Sequence, residues 1–350
     1  MYSFFYAIIY LEVIYMATRK KYKLRFGVKL IIFLIIVGVI GFFVYDAYQK
    51  DLAYKNSHKY KLLQKGYKED IVNLFMDKLT DEQEEDLLTR DYDEFIPFFV
   101  NTQYFKYDNL DLYLEQVITK EKDFFKYHGT DGYDYDLLVG IVNTHANEEN
   151  YSGNRKSDLS KGYGVLVNKH YSLDDYTPDD LESIPWKYRL GMENDKIQLR
   201  KDAYDAYLEM WEAAHEEDIY LLALSGYRSK KEQQGEYDYY YKLKGEKYAE
   251  NIAARAGHSE HQTGLALDIY SKECAFSENF HKSKSYEWLV NNSYKYGYIL
   301  RYPEGKEKIT GFKYESWHYR YLGVELATKV HESGLTYDEY YEFYLANNNE

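Results

Sequence analysis

Sixteen residues, Leu30 to Tyr45, run without a charge. That is short for a membrane span, but Phe26 to Lys29 extends it if Lys29 snorkels to the interface. Past this run the pattern turns amphipathic. Ile71, Leu74 and Phe75 share one helical face, and Thr80-Asp81-Glu82-Gln83 is a capping-box start for a helix from Asp81 to Thr89. Pro97 breaks the pattern; Leu110, Tyr113, Leu114 and Val117 then form the stripe of another helix. The apolar runs Leu137 to Asn143 and Gly162 to Asn168 predict strands, with His145 and His170 at their ends. Leu199 to Glu217 predicts an amphipathic helix, Ile219 to Leu224 a buried strand, and Lys230 to Tyr248 a tyrosine-rich helical stretch.

Strands and helices mix here without regular alternation. That favours an α+β fold: a small antiparallel sheet flanked by helices, preceded by a transmembrane helix and a helical stalk or small domain. The predicted division is a basic segment 1–29, an anchor 30–45, a helical stretch 46–135 and a catalytic domain 136–350. Residues 1–17 are also apolar, with Glu12 among them. They read either as a first membrane segment or as residues upstream of a true start at Met16.

Charge sharpens this picture. Residues 1–45 carry a net +5 and the remainder −19, out of a formal total of −14. Basic residues before the apolar run place the N-terminus in the cytoplasm and the rest outside. A segment so acidic is a poor nucleic-acid binder. Cys274 is the single cysteine, which excludes an intrachain disulfide and a thiolate metal site. The 44 tyrosines supply much of the apolar surface.

The chemistry gathers in His258-Ser259-Glu260-His261-Gln262-Thr263-Gly264-Leu265-Ala266-Leu267-Asp268 and in Glu315-Ser316-Trp317-His318. Histidines, an aspartate and a spare glutamate are what a catalytic zinc site uses: three protein ligands, an open position and a base. His261 and Asp268 are an odd number of residues apart, so both reach one metal only if the chain turns between them, and Gly264 permits that. From Leu265 onward, Leu265, Leu267 and Ile269 share one strand face and Ala266, Asp268 and Tyr270 the other. His258 competes as a ligand and Glu260 as a base. Arg228, at the end of a predicted strand, offers a bidentate fork to a substrate carboxylate or to an oxyanion. Trp317 is placed to wall the site.

The pattern Ser259-x-His261-x-x-Gly264-x-Ala266-x-Asp268, then Glu315-x-Trp317-His318, resembles the VanY-type D-alanyl-D-alanine carboxypeptidases of the LAS metallopeptidase group. Ser225-Gly226-Tyr227-Arg228-Ser229 and Leu300-Arg301-Tyr302-Pro303 match the same family, so the resemblance covers roughly residues 140–325. It implies one Zn2+ per chain held by His261, Asp268 and His318, with Glu315 as acid/base. It also implies that Arg228, Gln233 and Ser259 bind the substrate. The implied substrate is a peptidoglycan stem peptide ending in D-Ala, met outside a cytoplasmic membrane that residues 30–45 cross. Relatives often have Pro where this chain has Ala256 and Ser316, a change in loop stiffness and not in chemistry. The motifs leave D,D-carboxypeptidase, L,D-carboxypeptidase, dipeptidase and endopeptidase activities open, and a non-catalytic wall-binding protein as the contrasting class.

Overall fold

The computed structural model describes residues 26–120, 134–153, 155–192, 196–274 and 279–346. By its contacts the chain falls into two compact units, one ending at Pro97 and one beginning at Phe98.

The described part of the first unit begins with helix α1 (Phe26–Asn56), none of whose side chains is buried. At 31 residues it is, among the described residues, the one helix long and apolar enough to cross a membrane. Three shorter helices come after it: α2 (His58–Lys65), α3 (Glu69–Lys78) and α4 (Asp81–Thr89). They bury Leu62, Val72, Phe75 and Leu87. The capping box at Thr80 is formed in both directions, Gln83 N–H to Thr80 Oγ1 and Thr80 N–H to Gln83 Oε1. Pro97 does not interrupt a helix; it lies in the first turn of α5 (Ile96–Asn101), where its missing N–H costs nothing.

The second unit takes in the chain from Phe98 onward, including α6 (Leu110–Lys120). Two expected strands are absent. Leu137 to Asn143 lies in helix α7 (Tyr135–Asn143), capped by the Asp134 side chain on the Leu137 N–H. Its apolar residues are buried on several faces, and a short, fully buried run carries no periodicity to separate helix from strand. Asn143 Oδ1 then accepts from Tyr113 of α6 and from Asn109 just before it, which ties the two helices together. Gly162 to Asn168 is not a strand either. A 3-10 turn, Leu159–Gly164, kinks at Gly162 (φ 57°) and continues as irregular chain. Its carbonyls at Tyr163 and Val165 accept hydrogen bonds from the Arg320 guanidinium, so a side chain takes the place of a neighbouring strand. His145 and His170 therefore do not sit at the ends of these strands. His145 comes just after α7, with a left-handed φ of 64°.

Two short pairings, residues 155–156 with 171–172 and residues 181–183 with 198–200, lie outside the main sheet, which is four-stranded and antiparallel. Helix α8 (Lys201–Glu216) leads to β1 (Leu221–Ser225), and α9 (Lys230–Lys244) and α10 (Glu246–Ile252) are parted at Gly245. Strands β2 (Ala266–Ser271), β3 (Tyr298–Tyr302) and β4 (Glu315–Tyr321) complete the order β1-β2-β4-β3. Two-residue alternation divides the sheet. Leu267 and Ile269 of β2 and Tyr319 and Tyr321 of β4 join Tyr207, Met210 and Trp211 of α8 in the main core. Asp268 and His318 point the other way. Helix α11 (Lys284–Asn292) precedes β3, and α12 (Val324–Ser333) and the short α13 (Tyr337–Tyr340) close the unit.

Candidate active site

Strand β1 ends at Ser225, and the next carbonyl, that of Gly226, lies 2.7 Å from His261 Nδ1. A carbonyl only accepts, so Nδ1 carries the proton and Nε2 is left with a lone pair. His261 sits in the turn Glu260–Thr263, which Gly264 closes at φ 71°. That conformation lets the chain swing from His261 into β2. A Cβ at Gly264 would also meet Arg200 at 2.9 Å.

Across the sheet Asp268 is paired directly with His318. His318 Nδ1 is 3.1 Å, and His261 Nε2 3.6 Å, from Asp268 Oδ1. Asp268 Oδ1 is buried and makes no regular hydrogen bond among the described residues. Donors about 2.0–2.2 Å from a tetrahedral zinc ion stand roughly 3.3–3.6 Å from one another. Two imidazoles and one carboxylate at these separations, with an orphaned oxygen between them, are therefore a donor set that fits zinc. Burial, helped by Arg228 and His318, pushes His261 down to about 3 against the pull of Asp268. Burial acts on His318 in the same sense, but Asp268 and Glu260 outweigh it and raise that ring to about 9. Burial favours a protonated Asp268, but the two histidines outweigh it and hold the carboxyl below its usual range.

Glu315, at the start of β4, brings Oε2 to 3.7 Å from His318 Nδ1. Burial pushes its carboxyl up to about 7; Asp268 and Glu260 add to this, and His318 and Arg228 oppose it. A carboxyl group balanced there exchanges a proton readily near neutral pH.

These side chains line a cavity of about 250 Å³ together with Arg228, Gln233, Ser259 and Trp317. The eight residues that the sequence assigned to the site, its two rival candidates His258 and Glu260 aside, thus come together. Arg228 donates its backbone N–H to the His261 carbonyl at 3.1 Å, and its guanidinium pairs with Glu236. Gln233 is buried, with Nε2 on the Ala254 carbonyl at 2.7 Å and Oε1 without a partner among the described residues. Trp317 stacks on Tyr270 at 5.9 Å. A larger cavity of about 800 Å³, lined by Phe98, Tyr104, Lys306 and Phe343 among others, contains none of these groups.

His258 does not join the cluster; its Nδ1 is 2.9 Å from the Asn168 carbonyl. Glu260 does approach it, from the far side of His318. Sequence reasoning did not pick out Glu236, Tyr240, Tyr302 and Phe312, which also line the cavity. Glu236 lies on the same face of α9 as Gln233, three residues on, which is a signal available in the sequence. Tyr302 stood in the matched stretch Leu300-Arg301-Tyr302-Pro303 without a role assigned to it, and Phe312 carried no signal. A second grouping of possible metal donors, His58, Asp81 and Glu84, lies in the first unit, where His58 Nδ1 and Glu84 Oε2 meet at 2.8 Å.

Comparison with known proteins points the same way. Residues 196–324 match the family model "VanY: D-alanyl-D-alanine carboxypeptidase". The chain is 43% identical over 181 residues to the putative carboxypeptidase YodJ of Bacillus subtilis (strain 168), covering 51% of this chain and 66% of that one, just under two thirds of its length. It is 35% identical over 154 residues to the bifunctional D-Ala-D-Ala dipeptidase and D-Ala-D-Ala carboxypeptidase VanXYC of Enterococcus gallinarum, covering 40% of this chain and 80% of the relative. Among solved structures, the LdcB LD-carboxypeptidase superposes with a TM-score of 0.52 at 39% identity, covering 55% of this chain and 91% of that one.

Proposed function

From the premise that the chain belongs to the VanY D-alanyl-D-alanine carboxypeptidase family, we propose a membrane-anchored zinc carboxypeptidase that removes the C-terminal D-amino acid from peptidoglycan stem peptides. The observation that carries this reading is the convergence of His261 Nε2, Asp268 Oδ1 and His318 Nδ1, with the Glu315 carboxylate 3.7 Å from the last.

In this reading His261, Asp268 and His318 hold the metal. A zinc ion, when bound, supplies Lewis acidity and brings the pKa of water to about 7. Glu315 takes the proton of the attacking water and returns it to the leaving amine. Arg228, half-buried beside these groups, meets negative charge on the substrate, either the terminal carboxylate or the oxyanion that develops at the scissile carbonyl. Ser259 and Gln233 bind the terminal residue, and Trp317 walls the cavity. Residues 30–45 of helix α1 are the anchor, and the stalk, expected over residues 46–135, is the part of that stretch up to Pro97, since the chain from Phe98 onward belongs to the second unit. Arg19, Lys20, Lys21, Lys23 and Arg25 hold their side of the membrane in the cytoplasm, which leaves the peptidase facing the wall.

A second reading, L,D-carboxypeptidase, is favoured by one observation: the LdcB LD-carboxypeptidase superposes at a TM-score of 0.52. One experiment separates the two. The detergent-solubilised full chain is incubated with tetrapeptide and pentapeptide stems, with and without EDTA, and products are identified by mass. Loss of one D-Ala from the pentapeptide, abolished by EDTA, is the expected result. Cleavage of the tetrapeptide alone selects the L,D reading, and turnover indifferent to EDTA refutes both.

A further inference from the structure

Glu260 stands next to His261 in the sequence, yet its carboxylate serves the opposite ligand. Oε1 accepts from Arg301 Nε and from Arg320 Nη1, both at 2.8 Å. Arg301 is held in turn by Asp338 of α13, and Arg320 by the carbonyls of Tyr163 and Val165. Two arginines thus offset two carboxylates in a cluster whose side chains are all 0–1% exposed. The Glu260 carboxylate is pinned from three elements: the turn that bears it, β3 and β4. Its second oxygen is left over. Oε2 lies 3.5 Å from His318 Nε2, and neither atom has another hydrogen-bond partner among the described residues.

A neutral imidazole has one N–H, and an ionised carboxylate can only accept. If Nδ1 is to present a lone pair toward Asp268 and His261, the proton belongs on Nε2, where Glu260 Oε2 waits for it. Metal-bound histidines regularly give their other N–H to a carboxylate, which sets ring orientation and tautomer.

We propose that Glu260 is a positioning residue: its arginine-pinned carboxylate takes the His318 Nε2–H and holds that ring with Nδ1 facing the metal position. The inference rests on the zinc reading above. Glu260→Gln keeps the shape but turns an N–H2 toward His318 Nε2 while Oε1 still serves the arginines. Two donors then face each other whenever Nδ1 is free to bind.

The test has two parts. In the zinc-loaded wild-type protein, nitrogen-15 NMR reads the His318 tautomer, and a slowly exchanging Nε2–H is expected. Zinc affinity of wild type and Glu260→Gln is then measured by chelator competition, with circular dichroism as a check on folding. A 10- to 100-fold loss of zinc affinity is expected in the folded variant. A proton on Nδ1 in the wild type overturns the inference, and so does a folded variant that binds zinc within twofold of wild type. The NMR arm decides the matter even if the variant does not fold. A wild-type protein that binds no zinc refutes the zinc reading itself, and this inference with it.

Discussion

Asp268 and His318 occupy one cross-strand pair, and the Oδ1 of the first lies 3.1 Å from the Nδ1 of the second. Directly opposed side chains of an antiparallel pair are the nearest approach a sheet provides. The two donors are thereby held by backbone hydrogen bonds on both sides before any ion arrives. His261 is added from a turn whose geometry depends on Gly264.

Glu315→Gln separates chemistry from binding. The variant should retain zinc and lose roughly 10²–10⁴-fold in kcat, the usual worth of a positioned acid/base. Metal content by atomic spectroscopy, alongside turnover of a stem peptide, checks both halves.

His261→Ala and Asp268→Ala should each lose metal and activity together, because three donors become two. EDTA should do the same to the wild type, with recovery on adding zinc. A His261→Ala protein that keeps a full equivalent of zinc contradicts the assignment.

Arg228 and Glu236 should respond in opposite directions. Arg228→Lys loses the planar fork and should lower kcat/KM by at least about tenfold, since the two cations are not equivalent at a bidentate site. Glu236→Gln removes the carboxylate that pairs with Arg228 and should lower KM for a carboxylate-terminated peptide. Steady-state kinetics on one pentapeptide distinguishes these outcomes.

Arg301→Met should be strongly destabilising. It leaves Glu260 short of one of its two arginine partners and Asp338 without its guanidinium, with both carboxylates fully buried. Removing one partner of a buried charge cluster typically costs about 3–5 kcal/mol. Urea unfolding of the variant against wild type measures it.

His170 predicts a loss of stability in acid. It is buried, its Nδ1 has no partner among the described residues, and burial depresses its pKa to about 4, against about 6.5 in the unfolded chain. Above pH 6.5 the ring is neutral in both states and the full stability is present. Between pH 6.5 and 4 the unfolded chain binds the proton first, so stability falls as pH falls, and below 4 this group adds nothing more. From pH 7 to 4.5 the wild type should lose on the order of 2 kcal/mol more than His170→Asn, measured by urea unfolding at each pH.

Much of this molecule was legible along the chain because its signals are local. Sixteen uncharged residues preceded by a basic cluster mark a candidate anchor wherever the rest of the chain goes. A threonine three residues before a glutamine caps a helix with no help from distant residues, as Thr80 and Gln83 do. Alternation in β2 set Asp268 on the face opposite Leu267 and Ile269, because the pleat alone decides it. Most of the pocket residues named from the sequence stand in short motifs whose internal spacing is also local.

What the tertiary structure decided depends on partners far away in sequence. Leu137 to Asn143 is helical because burial on several faces satisfied it, and an apolar run is silent on that choice. Gly162 to Asn168 forgoes a strand because Arg320 takes its carbonyls. Glu260 looked like a rival base beside His261, and only the arrival of Arg301 and Arg320 turns its carboxylate toward His318. A buried charge goes where its counter-charges are, and the polymer's order of residues does not say which ones the fold will bring.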